Sequence, residues 1–276
     1  MNRKLLFLDI DGTLTVPGTN VPPDSALRAI RAARAAGHKV FLYTGRNRGM
    51  LSPLLQYGFD GYVGSSGGYV VCGEKVLYDC PMTEDRRRLA MDLFRENGVF
   101  RTVEGLEHSW CDEGLSTFMG SVGGGNSELE RWRRALEAAL GILPMAQYDG
   151  SPIYKIIFMC ENEGQLAPAR AALEEDFQFV IQDAPAPGCV NGELVNRRFD
   201  KGGGVRRVAE ALGADIADTV GFGDSMNDLE MIQTVGYSVC MENGSPALKA
   251  ASNMVCPAVE QDGLARAFRD LGLVEC

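Results

Sequence analysis

Asp9 and Asp11 stand two residues apart where the apolar run Leu5-Leu6-Phe7-Leu8 gives out, in LLFLDIDGTLT. Residues two apart on a strand point to the same face, so the two carboxylates converge if the extended geometry holds that far. Unpaired carboxylates side by side in a low-dielectric setting repel one another strongly. A divalent cation would compensate. Three further stretches carry groups of the same kind: Thr44-Gly45-Arg46, Lys201 in FDKGGGV, and Asp224, Asn227 and Asp228 in GFGDSMND. Acids, a lysine, a hydroxyl and an amide together suit Mg²⁺ plus a phosphoryl group: hard oxygen ligands for the metal, cationic and neutral donors for the phosphoryl oxygens.

Each piece alone has an ordinary reading. Asp-Gly is a common turn, Thr44-Gly45-Arg46 ends a strand with a solvated arginine, and DSMND caps a helix whose dipole favours acids. Lys201 alone is a surface lysine. KGGGV lacks the spacing of a Walker loop, and no G-x-G-x-x-G follows a strand. What gives the set weight is its placement, because ligands of open α/β sheets gather at the carboxyl ends of strands.

The elements that would position these groups alternate. After the first strand, PPDSALRAIRAARAAG predicts a helix closed by Gly37, KVFLYTGR a second buried strand, and GGYVVCGEKVLYD a hairpin about Gly73. From Pro81 the texture changes. TEDRRRLAMDLFRENG and NSELERWRRALEAALG read as helices, LSTFMGSV as strand-like, SPIYKIIFMC and FQFVIQ as strands, and EGQLAPARAALEED as a helix. That order suits an α+β insertion with helices on one face of a sheet. From about Gly202 the α/β alternation returns. The expected architecture is a doubly wound parallel sheet in two parts, residues 1–81 and 189–276, with an inserted α+β cap at 82–188.

The 27 basic and 37 acidic residues give a net charge of -10, which argues against nucleic acid or an anionic membrane as partner. A hydrophobic share of 45% suffices for a packed core. No stretch has the length of a membrane span or the pattern of a signal peptide, and none of the eight cysteines forms a C-x-x-C pair. A cytoplasmic protein with reduced cysteines is expected, with no protein partner evident.

DIDGTLT, TGR, KGGGV and GDSMND resemble, in this order, the four motifs of the haloacid dehalogenase (HAD) superfamily of phosphohydrolases, and the insert and the tail MENGSPALKAASNMV resemble its Cof-type branch, subclass IIB. The resemblance implies a Rossmann-like core with a cap, and a Mg²⁺-dependent phosphatase acting on a small phosphorylated metabolite through an aspartyl-phosphate. It makes Asp9 the nucleophile and Asp11 the acid that protonates the leaving oxygen and then activates water. Mg²⁺ would be held by the Asp9 carboxylate, the Asp11 backbone carbonyl and Asp224, with Asp228 in support. Thr44 and the Gly45 amide would hold the phosphoryl group, Lys201 would neutralise charge, and Asn227 would contact phosphate or orient Lys201.

Two departures stand out: Ser65-Ser66-Gly67-Gly68 where relatives often carry Asn-Gly-Ala, and Phe199-Asp200 before the lysine where Val-Ser is more usual. In the insert, His108, Trp110, Tyr154, Lys155 and the glycine-rich GSVGGGNS are candidates for reading the leaving group, with ordinary packing and connector roles better supported. A phosphomannomutase-like phosphotransferase and a non-catalytic metal- and phosphate-binding regulator are the competing readings. The Asp9/Asp11 pair argues against the regulator.

Overall fold

The structure is a computed structural model that describes residues 3–122, 141–181 and 188–274. The chain divides into two compact units, one of Met1–Arg46, Leu51–Asp79 and Phe199–Cys276, the other of Asn47–Met50 and Cys80–Arg198.

The first unit opens with β1 (Leu5–Leu8), α1 (Asp24–Ala35), β2 (Lys39–Tyr43), α2 (Arg48–Leu55, its first residues counted with the other unit), β3 (Gly61–Gly64), β4 (Tyr69–Cys72) and β5 (Lys75–Asp79). All four β1 residues are buried. Both faces of the strand are covered, which is why it reads as a continuous apolar run instead of an alternating one. Leu5 and Phe7 belong to a core with Phe41, Tyr43, Val63 and Val205. Phe7 stacks on Phe41 at 5.5 Å and meets Tyr43 edge-on at 5.8 Å.

In the second unit come α3 (Glu84–Glu96), β6 (Phe100–Gly105), β7 (Ser109–Cys111), α4 (Leu115–Ser121), β8 (Ile142–Pro144), β9 (Ile153–Cys160), α5 (Ala167–Leu173), β10 (Phe177–Ile181) and β11 (Val190–Asn196). They form a six-stranded sheet in the order β10-β11-β9-β6-β7-β8, antiparallel except for the β7–β8 pair. Because β11 pairs with β9 and β10, this unit runs to Arg198, beyond the 188 expected from sequence. Alternate β9 residues face opposite ways: Ile156 and Phe158 pack with Phe94 of α3 and Leu173 of α5, whereas Ile157 and Met159 pack with Leu115 and Met119. The expectation of helices on one face alone therefore fails at α4. LSTFMGSV is a helix, its Leu115, Met119 and Val122 buried at helical spacing. NSELERWRRALEAALG, apart from Gly141, and the end of GSVGGGNS lie outside the described residues.

The chain returns to the first unit with α6 (Lys201–Ala211), β12 (Thr219–Gly223), α7 (Leu229–Thr234), β13 (Tyr237–Met241), α8 (Pro246–Ala251), β14 (Met254–Cys256) and α9 (Gly263–Asp270). The resulting sheet has eight strands in the order β14-β13-β12-β1-β2-β3-β4-β5. The strands from β14 to β3 are parallel, and the β4–β5 hairpin adds an antiparallel edge. β1 lies between β2 and β12, with Leu8 level with both Leu42 and Phe222. The chain winds outward from β1 in both directions, so β1 is the topological switch point where α/β sheets bind ligands. The described cysteines are all unbridged, and among the described residues no helix is long and apolar enough to cross a membrane.

Candidate active site

Asp9 follows β1 directly, and its amide continues the ladder by one bond to the Phe222 carbonyl at 3.0 Å. The side chain is buried. Beyond it the chain coils tightly: the amides of Thr13, Leu14 and Thr15 all reach the Ile10 carbonyl, and Gly12 takes φ +90°. That conformation suits glycine. Space demands it as well, because a Cβ on Gly12 would lie 2.2 Å from Asp224 Oδ2.

The coil decides where Asp11 goes. Its carboxylate accepts a two-pronged contact from Arg46, Nε at 3.0 Å and Nη2 at 2.8 Å, and the Gly18 amide at 3.1 Å. β1 ends at Leu8 and the coil begins there, yet the Asp11 charge still bears on both Asp9 and Asp224. Asp11 is paired with Arg46, and Arg46 is not the solvated arginine that its position in the sequence suggests.

The carboxylates that do converge belong to Asp9, Asp224 and Asp228, each offering an oxygen within 4.8 Å of the others. Asp224 follows β12, and Asp228 sits in the next turn with its side chain fully buried. Asp228 Oδ2 accepts the Asp224 and Ser225 amides at 3.1 and 3.3 Å, tying the turn together, while Oδ1 accepts Lys201 Nζ at 2.8 Å. Lys201, the first residue of α6, also donates to Asn227 Oδ1 at 3.0 Å and stands 3.9 Å from Asp9 Oδ1. Asn227 thus holds the ammonium. Asp200 caps α6 by accepting the Gly203 amide, so the departure before Lys201 preserves the helix start.

Thr44 lies at the tip of β2, buried, its hydroxyl oxygen accepting the Arg46 amide at 3.1 Å with Gly45 between them. At the tip of β3, Ser65 and Ser66 have φ of 50° and 58°, unusual for residues other than glycine. Their amides bond the carbonyls of Arg46 and Thr44 at 2.9 and 3.2 Å, which pins this turn against the end of β2. The Ser65 hydroxyl is buried without a hydrogen bond. Of the insert candidates, Trp110 packs edge-on against Tyr148 at 4.9 Å. Tyr154 is buried, His108 neighbours Trp110 at 6.1 Å, and Lys155 is buried between Glu193 at 2.8 Å and Glu104 at 3.3 Å.

Burial and neighbouring carboxylates dominate the electrostatics. Burial raises the Asp9 carboxyl well above its ordinary range, Asp228 adds to this, and Lys201 opposes it. The same causes push Asp224 up to about 7. Asp224 Oδ1 is buried and has no hydrogen-bond donor. Three converging carboxylates, one of them with a buried unsatisfied oxygen, beside the Lys201 ammonium fit Mg²⁺ or a similar cation.

A carboxyl whose folded pKa is raised disfavours folding once it must ionise, so its contribution is lost as pH climbs from the unfolded value near 3.8 through the folded one, about 7 for Asp224. The metal-free protein is therefore expected to lose melting temperature between about pH 4 and pH 7 on account of these groups. Added Mg²⁺, which binds the ionised form, should raise the melting temperature more at pH 8 than at pH 5. Equal shifts at both pH values would contradict the cluster as the cation site.

Sequence reasoning did not single out Asn243, in the loop after β13, which donates to the Gly12 carbonyl at 2.9 Å and to Asp224 Oδ2 at 3.2 Å. It lies in the tail MENGSPALKAASNMV that resembles the Cof-type branch, but its contacts cannot be read from that stretch, because its partners are far away along the chain.

Comparison with known proteins shows the family. The haloacid dehalogenase-like hydrolase family model matches residues 6–268. The chain is 29% identical to YkrA of Bacillus subtilis (strain 168) over 279 residues, covering 100% of both. It is 39% identical over 274 residues to a phosphoglycolate phosphatase of Methanosarcina acetivorans, covering 98% of this chain and 97% of that one. Among solved structures, the HAD subclass IIB sugar phosphatase BT4131 superposes with a TM-score of 0.75 at 21% identity, over 98% of this chain and 100% of that one, a likeness of fold. With Asp9 just past the switch-point strand beside Asp224, Asp228 and Lys201, and the family model spanning residues 6–268, this chain belongs to the haloacid dehalogenase-like hydrolase family.

Proposed function

We propose that the protein is a Mg²⁺-dependent phosphatase that hydrolyses a small phosphate monoester through an aspartyl-phosphate on Asp9. One observation carries this most directly: the buried Asp9 carboxylate lies within the cluster of Asp224, Asp228 and Lys201 but at 3.9 Å from the ammonium, near a cation without being tied up by it. Asp9, Asp224 and Asp228 would hold Mg²⁺, which when bound supplies positive charge for the phosphoryl oxygens and keeps the carboxylates ionised.

In the first step an Asp9 oxygen forms a bond to phosphorus as the bond to the ester oxygen breaks, and Asp11 delivers a proton to the departing alkoxide. In the second, Asp11 takes a proton from water, whose oxygen attacks the phosphorus and restores the Asp9 carboxylate. Both Asp11 oxygens are held by the Arg46 guanidinium, so passing a proton to or from the substrate requires the carboxyl to leave that fork. Lys201, anchored by Asn227 and Asp228, is placed to neutralise charge that develops on the phosphoryl group. Thr44 and the Gly45 amide line the adjacent strand tip as phosphoryl donors.

A phosphoglycolate phosphatase at 39% identity and a sugar phosphatase of like fold point to small phosphorylated carboxylates and sugars as the esters to try. The deciding experiment strips the protein with EDTA and offers phosphoglycolate and hexose phosphates with and without Mg²⁺. Release of inorganic phosphate that depends on Mg²⁺ is expected. No release from any ester would overturn the reading, and transfer of phosphate to a sugar with little free phosphate would replace it with the phosphotransferase.

A further inference from the structure

Asp224 is clamped from an unexpected direction. It follows β12, yet its backbone carbonyl accepts the Ser245 amide at 3.0 Å, and a Cβ on Gly244 would come within 2.7 Å of that same carbonyl oxygen. The loop between β13 and α8 is thus packed against Asp224 with no room to spare. From this loop the Asn243 amide reaches two partners at once, the Gly12 carbonyl at 2.9 Å and Asp224 Oδ2 at 3.2 Å. Gly12 closes the third side, its backbone so near that a Cβ would stand 2.2 Å from Oδ2. One carboxylate oxygen is held by a donor and walled in by backbone, while the other, Oδ1, is buried with no hydrogen bond.

We propose that Asn243 is a positioning residue for the cation site. By donating one N–H to Asp224 Oδ2 and the other to the Gly12 carbonyl, it fixes the Asp224 carboxylate so that Oδ1 is presented to the cluster with Asp9 and Asp228. It also ties the coil that carries Asp11 to the loop after β13, coupling the two chain segments on either side of β12. The inference rests on the cation reading of the acidic cluster but adds a residue from outside it. Orienting partners of this kind typically contribute 10–100-fold to metal affinity without touching the metal. Asn243 itself is exposed, so replacing it removes the two hydrogen bonds without opening a cavity in the core.

The test is a Mn²⁺ titration of the full chain followed by electron paramagnetic resonance, with no substrate present, on wild type, Asn243→Ala and Asn243→Leu. Leu has the same branched skeleton of side-chain heavy atoms as Asn and cannot donate. Melting temperatures in EDTA check that each variant is folded. Both variants are expected to bind one Mn²⁺ about tenfold more weakly than wild type while melting within a few degrees of it. Unchanged Mn²⁺ affinity in the folded variants would overturn the role of Asn243 and leave the cation reading standing. If wild type binds no Mn²⁺, the cation reading fails and this inference with it. Should one variant melt far below wild type, the other decides the question alone.

Discussion

Asp9→Asn should abolish turnover while leaving the fold at least as stable as before. An amide nitrogen or its carbonyl oxygen at this position has the size of the carboxylate but cannot attack phosphorus to form an acyl phosphate, so phosphate release is expected to fall by a factor on the order of 10⁴ to 10⁶, the scale on which loss of a covalent nucleophile is felt. Stability should move the other way. Asp9 is buried among like charges, and its carboxyl is raised well above the ordinary range by burial and by Asp228. Neutralising it removes one of three converging charges. In EDTA at pH 8 the variant should therefore melt at or above the temperature of wild type, whereas with Mg²⁺ it should gain less than wild type does. An inactive protein that melts early would point to misfolding as the cause of inactivity, and near-normal turnover would remove Asp9 from the nucleophile's role. The pairing of opposite effects, activity lost and metal-free stability kept, is what a functional cluster of unfavourable charges requires.

Much of this arrangement can be read from sequence because buried parallel strands announce themselves. LLFL, KVFLY and TVGFG are apolar on both faces, and a polar group just past such a run must sit at a strand end. Parallel neighbours bring those ends together, so Asp9, Thr44 and Asp224 meet by topology alone. What sequence does not show is how loops fold back. Strand period alone does not foretell that the turn around the Ile10 carbonyl sets Asp11 against Arg46. Asn243 is invisible for the same reason, its partners being Gly12 and Asp224.

In the second unit one strand goes unpredicted because charges interrupt its apolar pattern. β6 contains Arg101 and Glu104, both buried, the first against Asp112 at 2.6 Å and the second against Lys155 at 3.3 Å. A charge with a buried partner reads from sequence as a charge facing solvent, and so β6 gives no strand signal. The converse error is α4: Phe118 and Val122 suggest a strand by residue type, and the tertiary contacts of Leu115 and Met119 decide for a helix.

Lys201→Met is expected to be the most destabilising single change at the site. Lys201 is 3% exposed, and its ammonium is the cation held among Asp228 at 2.8 Å and Asp9 at 3.9 Å. Replacing it by an apolar chain of similar length leaves Asp228, wholly buried, with its two amide donors and no countercharge. Breaking a buried ion pair from one side typically costs about 3–5 kcal/mol. The loss should be largest in EDTA at pH 8, where Asp9 and Asp224 are forced to ionise beside it, and smaller at pH 5, where protonation relieves the cluster. Mg²⁺ should restore part of it, because a divalent cation supplies positive charge to the same oxygens. Phosphate release should drop by about 10²–10³ even at saturating Mg²⁺, since the charge on the phosphoryl oxygens then lacks one donor. Lys201→Arg is expected to recover stability only in part: the charge is kept, but a planar fork does not fit a position shaped for one compact ammonium between Asn227 and Asp228. Urea unfolding at pH 5 and pH 8, with and without Mg²⁺, measures all of this. A Lys201→Met protein as stable as wild type in EDTA at pH 8 would show that the acids at this site are balanced by something other than Lys201.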